Sequence, residues 1–327
     1  MANKEKVKIG DIISSIEKRF GKEAISGTHN ECGFVSSGSI GLDLALGGGY
    51  AQGRIIEIMG WESSGKSSVA LHLASEVQKL GKIVAYIDME HAMDLEYANN
   101  LDVKTEGDLW YMSQPDNGEE GLEIAREFLK SEDVGLIVID SVTALVPKAV
   151  LQGEAGDSKM ALLARLMSSM LPTMIAQARK TGCIILFINQ YRDKLGITWG
   201  PTTTTSGGNA LKFYASQRLE IARAGQEKDK ETEEVTANKT RVKVIKNKVA
   251  PPFRKAEFNI VFGKGIDKVQ EVIDIAVEME IIKKAGSWFS YDEVKLGQGN
   301  DSVKTIMEDN PELFEEINGK IRKNLIK

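Results

Sequence analysis

Cysteine is nearly missing from this chain: 327 residues hold only Cys32 and Cys183. That scarcity excludes a disulfide-stapled scaffold. Cys183, inside the apolar run Cys183-Ile-Ile-Leu-Phe-Ile188, reads as a buried thiol of a reduced protein. No apolar run approaches the roughly 18 residues that a membrane helix needs, so no membrane partner is expected. Met1-Ala-Asn-Lys-Glu-Lys6 carries no apolar signal region, and the expected location is the cytoplasm. An excess of one charge is missing as well. Lys+Arg 42 against Asp+Glu 47 leaves a net −5, so any surface for nucleic acid must be a local one.

What remains is ordinary for a globular protein, 42% apolar and 27% charged, long enough for one main domain with smaller appendages. Ile9, Ile12, Ile13, Ile16 and Phe20 share one helical face, and Gly21 ends that helix. It must dock on its own domain or on a neighbour, and the residues leave both open. From Arg54 a repeat begins. Strands at Arg54–Met59, Lys82–Asp88, Leu109–Met112, Gly135–Asp140 and Cys183–Asn189 alternate with helices near 66–80, 93–100, 118–130 and 159–180. Continuous apolar strands between helices predict an α/β fold with a mostly parallel sheet covered on both faces. Tyr191–Asn209 breaks the period, and a loop that long is a candidate functional segment. Gln217–Ala222, Thr240–Lys246 and Lys255–Phe262 alternate like antiparallel strands around a charged stretch, Gly225–Asn238, expected to be a solvated loop. A small α+β unit starts near Asp267. The expected division is 1–33, 34–266 and 267–327.

Gly60-Trp-Glu-Ser-Ser-Gly-Lys-Ser67 fits G-x-x-x-x-G-K-[ST] between a strand and a helix. Chance gives such a match in about one chain in a hundred of this length. Glycines turn backbone N–H groups toward phosphates, Lys66 reaches the β/γ oxygens, and the Ser67 hydroxyl suits Mg²⁺. The helix N-terminus adds its dipole. Gly60, Glu62, Ser63, Ser64, Gly65, Lys66, Ser67 and the adjoining Ser68 are the expected nucleotide contacts. Asp140 ends a buried strand at the carboxyl edge of the sheet, where ligands of such sheets bind, and suits the Mg²⁺ shell. Glu90, after another strand, is placed to orient and deprotonate a water. Gln190 ends a third strand at the same edge and opens the long loop, so it can couple nucleotide state to loop order.

These segments resemble the RecA recombinase family. The resemblance rests on the phosphate loop, Tyr86-Ile-Asp-Met-Glu-His-Ala92, Ile139-Asp-Ser141, Gly153-Glu-Ala-Gly-Asp157, Phe187-Ile-Asn-Gln190, Gly207-Gly-Asn-Ala-Leu-Lys-Phe-Tyr214 and Val242-Lys-Val-Ile-Lys-Asn-Lys248. It continues through Lys283-Lys-Ala-Gly-Ser-Trp288, Gly297-Gln-Gly299 and Asp309-Asn-Pro311. It implies a RecA-like ATPase core with ATP and Mg²⁺, forming a helical filament on single-stranded DNA that pairs with and exchanges strands of double-stranded DNA. By position Glu90 resembles the catalytic carboxylate, Gln190 the γ-phosphate sensor, and Asp94 and Tyr97 the adenine contacts. Lys246 and Lys248 match lysines that reach an adjacent subunit's nucleotide. The first DNA loop falls at about 153–160, with Met160 and Arg165. The second falls at about 191–209, with Arg192, Lys194, Leu195, Gly207 and Gly208. The N-terminal helix would pack on a neighbouring subunit. An SOS-type repressor and a single-strand-binding protein are further partners the resemblance brings in.

Some positions depart from the family. Pro172 stands where a second basic residue is usual, and is expected to kink or end its helix. Asp193 lowers the charge of the second loop, Trp61 replaces a usual proline, and Asn324-Leu-Ile-Lys327 stands where many members carry an acidic tail, as in a phage-type relative or a trimmed chain. Two other readings compete. A helicase-like hexameric motor of the same fold is disfavoured by the N-terminal helix beside the core. A non-catalytic DNA-binding paralogue is disfavoured by the intact Lys66, Asp140, Glu90 and Gln190.

Overall fold

The computed structural model describes residues 8–25, 32–153, 159–193, 202–229 and 232–323. Aliphatic runs form a parallel central block of strands Ile55–Gly60, Ile184–Asp193, Val134–Asp140, Ile83–Asp88 and Trp110–Ser113, in that spatial order. Gln217–Lys228 joins the other side of Ile55–Gly60 in parallel, followed by antiparallel Val235–Asn247, Lys255–Val261 and Gly265–Ile266. Side chains alternate between the two faces. Ile56, Ile58, Leu186 and Ile188 pack with Leu71 and Leu73 of helix Lys66–Lys79. Ile55, Ile137 and Phe187 pack with Leu122 of helix Gly118–Phe128 and with Leu163, Met167 and Leu171 of helix Lys159–Thr181. Cys183 lies in that second layer, fully buried, and burial pushes its thiol pKa up.

Two sequence expectations need correction. The stretch 225–238 is mostly paired: Gln217–Lys228 and Val235–Asn247 meet from Asn247↔Gln217 to Val235↔Lys228. Exposed charged residues such as Glu227 and Lys228 on successive positions erase the alternation by which a strand is recognised. The segment 191–209 is likewise not all loop, because Tyr191, Arg192 and Asp193 pair with Thr205, Thr204 and Thr203 as a hairpin stem. The helix expected near 159–180 runs from Lys159 to Thr181 and is not ended by Pro172. Leu171 and Met174, fully buried on either side of it, hold the helix to the sheet across the missing backbone donor.

Residues 268–323 form helix Lys268–Glu278, a meander of Lys283–Ala285, Trp288–Tyr291 and Val294–Gln298, and helices Asn300–Asp309 and Pro311–Lys323. Ile273, Phe289, Val303, Ile317 and Ile321 make their core. Glu271 joins them to helix Ile40–Leu46. Its carboxylate accepts from the Ser39 hydroxyl at 2.5 Å, the Gly41 N–H at 3.0 Å and the Ile40 N–H at 3.2 Å. A Cβ at Gly41 would lie 2.8 Å from Glu271 Oε1, so the clamp demands glycine there.

Burial outweighs those donors and raises the Glu271 carboxyl from 4.5 to about 7. Between these values the folded chain keeps a proton that the unfolded chain has lost. The contribution to stability is therefore complete below pH 4.5 and lost as pH rises to about 7. Its size is on the order of 3 kcal/mol. Glu271→Gln mimics the protonated form, so its melting temperature should gain on wild type between pH 5 and pH 8. A constant gap would show that the buried charge is not the cause.

The segment before Phe34 is a separate unit, with helix Ile9–Phe20 closed by Gly21 at φ +91°. None of the helix residues is buried.

Candidate nucleotide site at the carboxyl edge of the sheet

Register lines up the functional strand ends. Gly60 pairs with Gln190 and Ile221, Asp88 with Asp140, and Asp140 with Ile188. The phosphate loop leaves this edge and enters its helix through Gly65 at φ +93°. Glycine is needed at both ends of the loop. A Cβ on Gly60 would meet the Ile221 carbonyl oxygen at 2.3 Å, and one on Gly65 would meet Ile260 Cδ1 at 2.5 Å. Lys66 is buried, and its Nζ donates to the Trp61 carbonyl at 2.7 Å. Burial lowers the Lys66 pKa, against the pull of Asp140, Glu90 and Glu62.

Asp140 Oδ2 accepts from Ser67 Oγ at 2.9 Å and from Tyr86 OH at 2.7 Å. Burial raises its pKa, and the Tyr86 and Ser67 hydrogen bonds oppose the rise. A hydroxyl and a carboxylate this close form the oxygen donor set that suits Mg²⁺, an ion held by one or two protein oxygens together with water and substrate phosphates. Asp88 is a brace: its Oδ2 accepts from the Met93 N–H at 3.1 Å and from Gln114 Nε2 at 3.0 Å. It thereby fixes the turn that carries Glu90.

Glu90 Oε1 accepts from Gln190 Nε2 at 3.0 Å and from the Ser141 hydroxyl. Glu90 and Gln190 come from different strand ends and are brought into direct contact. Beside them, a cavity of about 150 Å³ is lined by Ser67, Tyr86, Asp94, Tyr97 and Asp140. A second, of about 260 Å³, lies between Ser63, Ser64, Gly65, Ser68 and Tyr97 on one side and Asn238, Thr240, Phe262 and Gly263 on the other. Asp94 Oδ1 caps helix Leu95–Asn100 through the Tyr97 N–H at 2.9 Å, and Tyr97 OH donates to Ser68 Oγ at 2.8 Å. Ser64 Oγ and Asn238 Oδ1 are buried with no hydrogen-bond partner among the described residues.

Of the residues expected at DNA, Met160 and Arg165 are exposed on helix Lys159–Thr181, and Arg192 is exposed on the hairpin stem. Lys194 and Leu195 lie outside the described residues, as does most of the first loop. Gly207 and Gly208 turn at φ +83° and +70°, and a Cβ on Gly208 would meet the Ala164 Cβ at 2.8 Å. The return of the second segment is therefore seated beside Arg165. Lys246 Nζ donates to the Lys212 and Phe213 carbonyls at 2.7 and 3.0 Å, and Lys248 is exposed.

Sequence reasoning missed Tyr86 and Ser141 as the holders of Asp140 and Glu90, and Asn238, Thr240, Phe262 and Gly263 as a wall. It also missed the support of Gln190. Asn189 Nδ2 donates to Glu57 at 2.9 Å and to the Ser206 carbonyl at 3.1 Å, and Arg218 Nε closes on Glu57 at 2.6 Å. A polar residue inside an otherwise apolar strand, Glu57 or Asn189, was the available signal.

A family model described as the RecA N-terminal domain matches residues 7–267, and one described as the RecA C-terminal domain matches residues 270–326. The chain is 52% identical over 318 residues to Protein RecA of Cytophaga hutchinsonii, covering 96% of this chain and 89% of that one. It is 54% identical over 312 residues to Protein RecA of Porphyromonas gingivalis, covering 94% and 91%. Against Protein RecA of Bacteroides thetaiotaomicron it is 51% identical over 327 residues, covering 98% of each. The crystal structure of the RadB recombinase superposes with a TM-score of 0.54 at 22% identity, over 71% of this chain and 98% of that one, a likeness of fold. With family models spanning the core and the C-terminal unit, and relatives about half identical over nearly its whole length, the chain belongs to the RecA family.

Proposed function

We propose that the sheet edge between the phosphate loop, Asp140, Glu90 and Gln190 is where this RecA-family recombinase hydrolyses ATP, and that Gln190 reports the nucleotide to DNA. A DNA-dependent ATPase that binds DNA and forms filaments is the activity of the family. The observation that carries the site assignment is the Gln190–Glu90 hydrogen bond. It joins the residue placed to activate water to the residue that opens the DNA hairpin.

Mg²⁺, when bound by Ser67 and Asp140, neutralises charge on the β/γ-phosphates. Loop N–H groups and Lys66 hold the phosphates, and Lys66 must leave the Trp61 carbonyl or share its protons to do so. Both donors on Glu90 fall on Oε1; among the described residues Oε2 has no partner and is the oxygen to take the proton of an attacking water. The amide of Gln190 is then drawn between Glu90 and the γ-phosphate, and its movement pulls on the stem pairing Tyr191↔Thr205. Arg165, Arg192 and the glycine turn grip the DNA backbone without reading bases, which leaves the bases to pair.

Lys246 and Lys248 serve a neighbouring subunit. Gly60 sits opposite Ile221 and thus Val242, whereas Lys246 sits opposite Arg218, beside Glu57 near the other end of the sheet. A bulge between Val244 and Lys246 puts Lys246 level with Glu57, three strand residues and about 10 Å from Gly60 of its own phosphate loop. Mg²⁺, the cytoplasmic location and the repressor and single-strand-binding partners belong to this reading. No helix among the described residues is long and apolar enough to cross a membrane.

The test is Gln190→Ala. ATP affinity should fall by about fivefold or less, because the net worth of one hydrogen bond is about 1 kcal/mol. The preference of single-stranded DNA binding for an ATP analogue over ADP should fall steeply. A preserved preference, read by fluorescence anisotropy, would remove Gln190 from the reporting role.

A further inference from the structure

Trp61 is the residue after Gly60 in the phosphate loop and is half exposed. Its backbone carbonyl is the acceptor of Lys66 Nζ at 2.7 Å. Its ring lies against Tyr191, with centroids 5.9 Å apart and planes at 56°, inside the range of a favourable tilted aromatic pair. Tyr191 follows Gln190 and opens the hairpin stem by pairing with Thr205, and its hydroxyl donates to Glu220 at 2.9 Å. Consecutive strand residues point to opposite faces. Gln190 thus meets Glu90 on one face while Tyr191 meets Trp61 on the other.

One residue therefore has its backbone on the phosphate-binding cation and its ring on the stem of the DNA hairpin. We propose that Trp61 is a positioning residue that passes the state of Lys66 to the hairpin through Tyr191, a second link beside the Gln190–Glu90 bond. A phosphate entering the loop competes with the Trp61 carbonyl for the Lys66 protons. The carbonyl then shifts, the indole shifts with it, and the Tyr191 ring packed on it carries the change into the Arg192↔Thr204 pair. Proline, the usual residue of the family at this position, offers no aromatic face, so the link depends on this substitution. The inference rests on the reading of the hairpin as the DNA-binding element.

The experiment is a double-mutant cycle on full-length protein. Its readout is the ratio of the dissociation constants for an oligothymidine, in ADP over a non-hydrolysable ATP analogue. Trp61→Ala and Tyr191→Ala should each lower the ratio about two- to tenfold, the worth of one aromatic pair, and the double variant should lower it no further. Trp61→Phe and Tyr191→Phe keep a ring on each side and should retain the ratio. Nucleotide should change the Trp61 emission, taken as wild type minus Trp61→Phe. Because Trp61 precedes Tyr191 in the link, the change should persist in Tyr191→Ala while the ratio falls. An emission blind to nucleotide would overturn the link.

Additive losses would overturn the link, as would an equal weakening in both nucleotides that leaves the ratio intact. If Trp61→Ala melts well below wild type, the Tyr191→Ala ratio and the emission decide alone. A wild-type ratio near one would instead refute the reading of the hairpin itself, so the two failures are distinguishable.

Discussion

Lys66→Ala is expected to abolish ATP binding and, with it, the ATP-dependent grip on single-stranded DNA. The Lys66 ammonium is placed between Asp140, Glu90 and Glu62, and its burial lowers its pKa. Asp140, Glu90 and Glu62 oppose that lowering, and a triphosphate adds far more negative charge at the same spot. Charge-assisted hydrogen bonds are worth about 1.5–3 kcal/mol each, so losing those to the β- and γ-oxygens should weaken ATP by more than about a hundredfold. The fold should survive, since truncation removes a desolvated cation whose one hydrogen bond among the described residues is to the carbonyl of Trp61, a residue half exposed to water. Titration with a fluorescent ATP analogue measures the loss, and a melting curve verifies the fold. Wild-type affinity in this variant would sink the phosphate-loop assignment.

The phosphate loop was legible because its mechanism needs fixed residue types at fixed spacing, and because a strand and a helix flank it. The parallel strands were legible because burial on both faces leaves only apolar residues between Ile55 and Met59, apart from Glu57. That exception marks what was hidden. Glu57 is fully buried because Asn189 and Arg218 satisfy it across neighbouring strands, and such partners become neighbours only through sheet order. Tyr86 and Ser141 were hidden for the same reason: each lies far in sequence from the carboxylate it holds. The pairing within 225–238 was hidden because mostly exposed residues there remove the period of two that showed in 217–222 and 240–246. Trp61 stood out in sequence only as a departure, and its meaning came with Tyr191.

If Lys246 and Lys248 act on a neighbour, no single subunit holds a complete site. The contact is then heterologous, and its repetition gives an open helix, in keeping with filament formation in the family. Two variants divide the roles. Glu90→Gln keeps the hydrogen-bonding shape but loses the base, so it should bind ATP and fail to activate water. Lys248→Ala should leave its own phosphate loop intact and spoil the site of the adjacent subunit. Each alone is expected to be nearly inactive as a DNA-dependent ATPase. Mixed in equal amounts and assembled at random, about one interface in four pairs an intact Glu90 with an intact Lys248. Activity should return towards a quarter of wild type when neighbouring sites fire independently. Sedimentation of the mixture on single-stranded DNA establishes that both variants enter the same filaments. Lys246 is a poorer probe than Lys248, because its ammonium also holds the Lys212 and Phe213 carbonyls and its removal would disturb helix Ala210–Tyr214, which follows the hairpin. Co-filaments without recovered hydrolysis would place Lys248 within its own subunit or in assembly alone, and the shared site would be wrong.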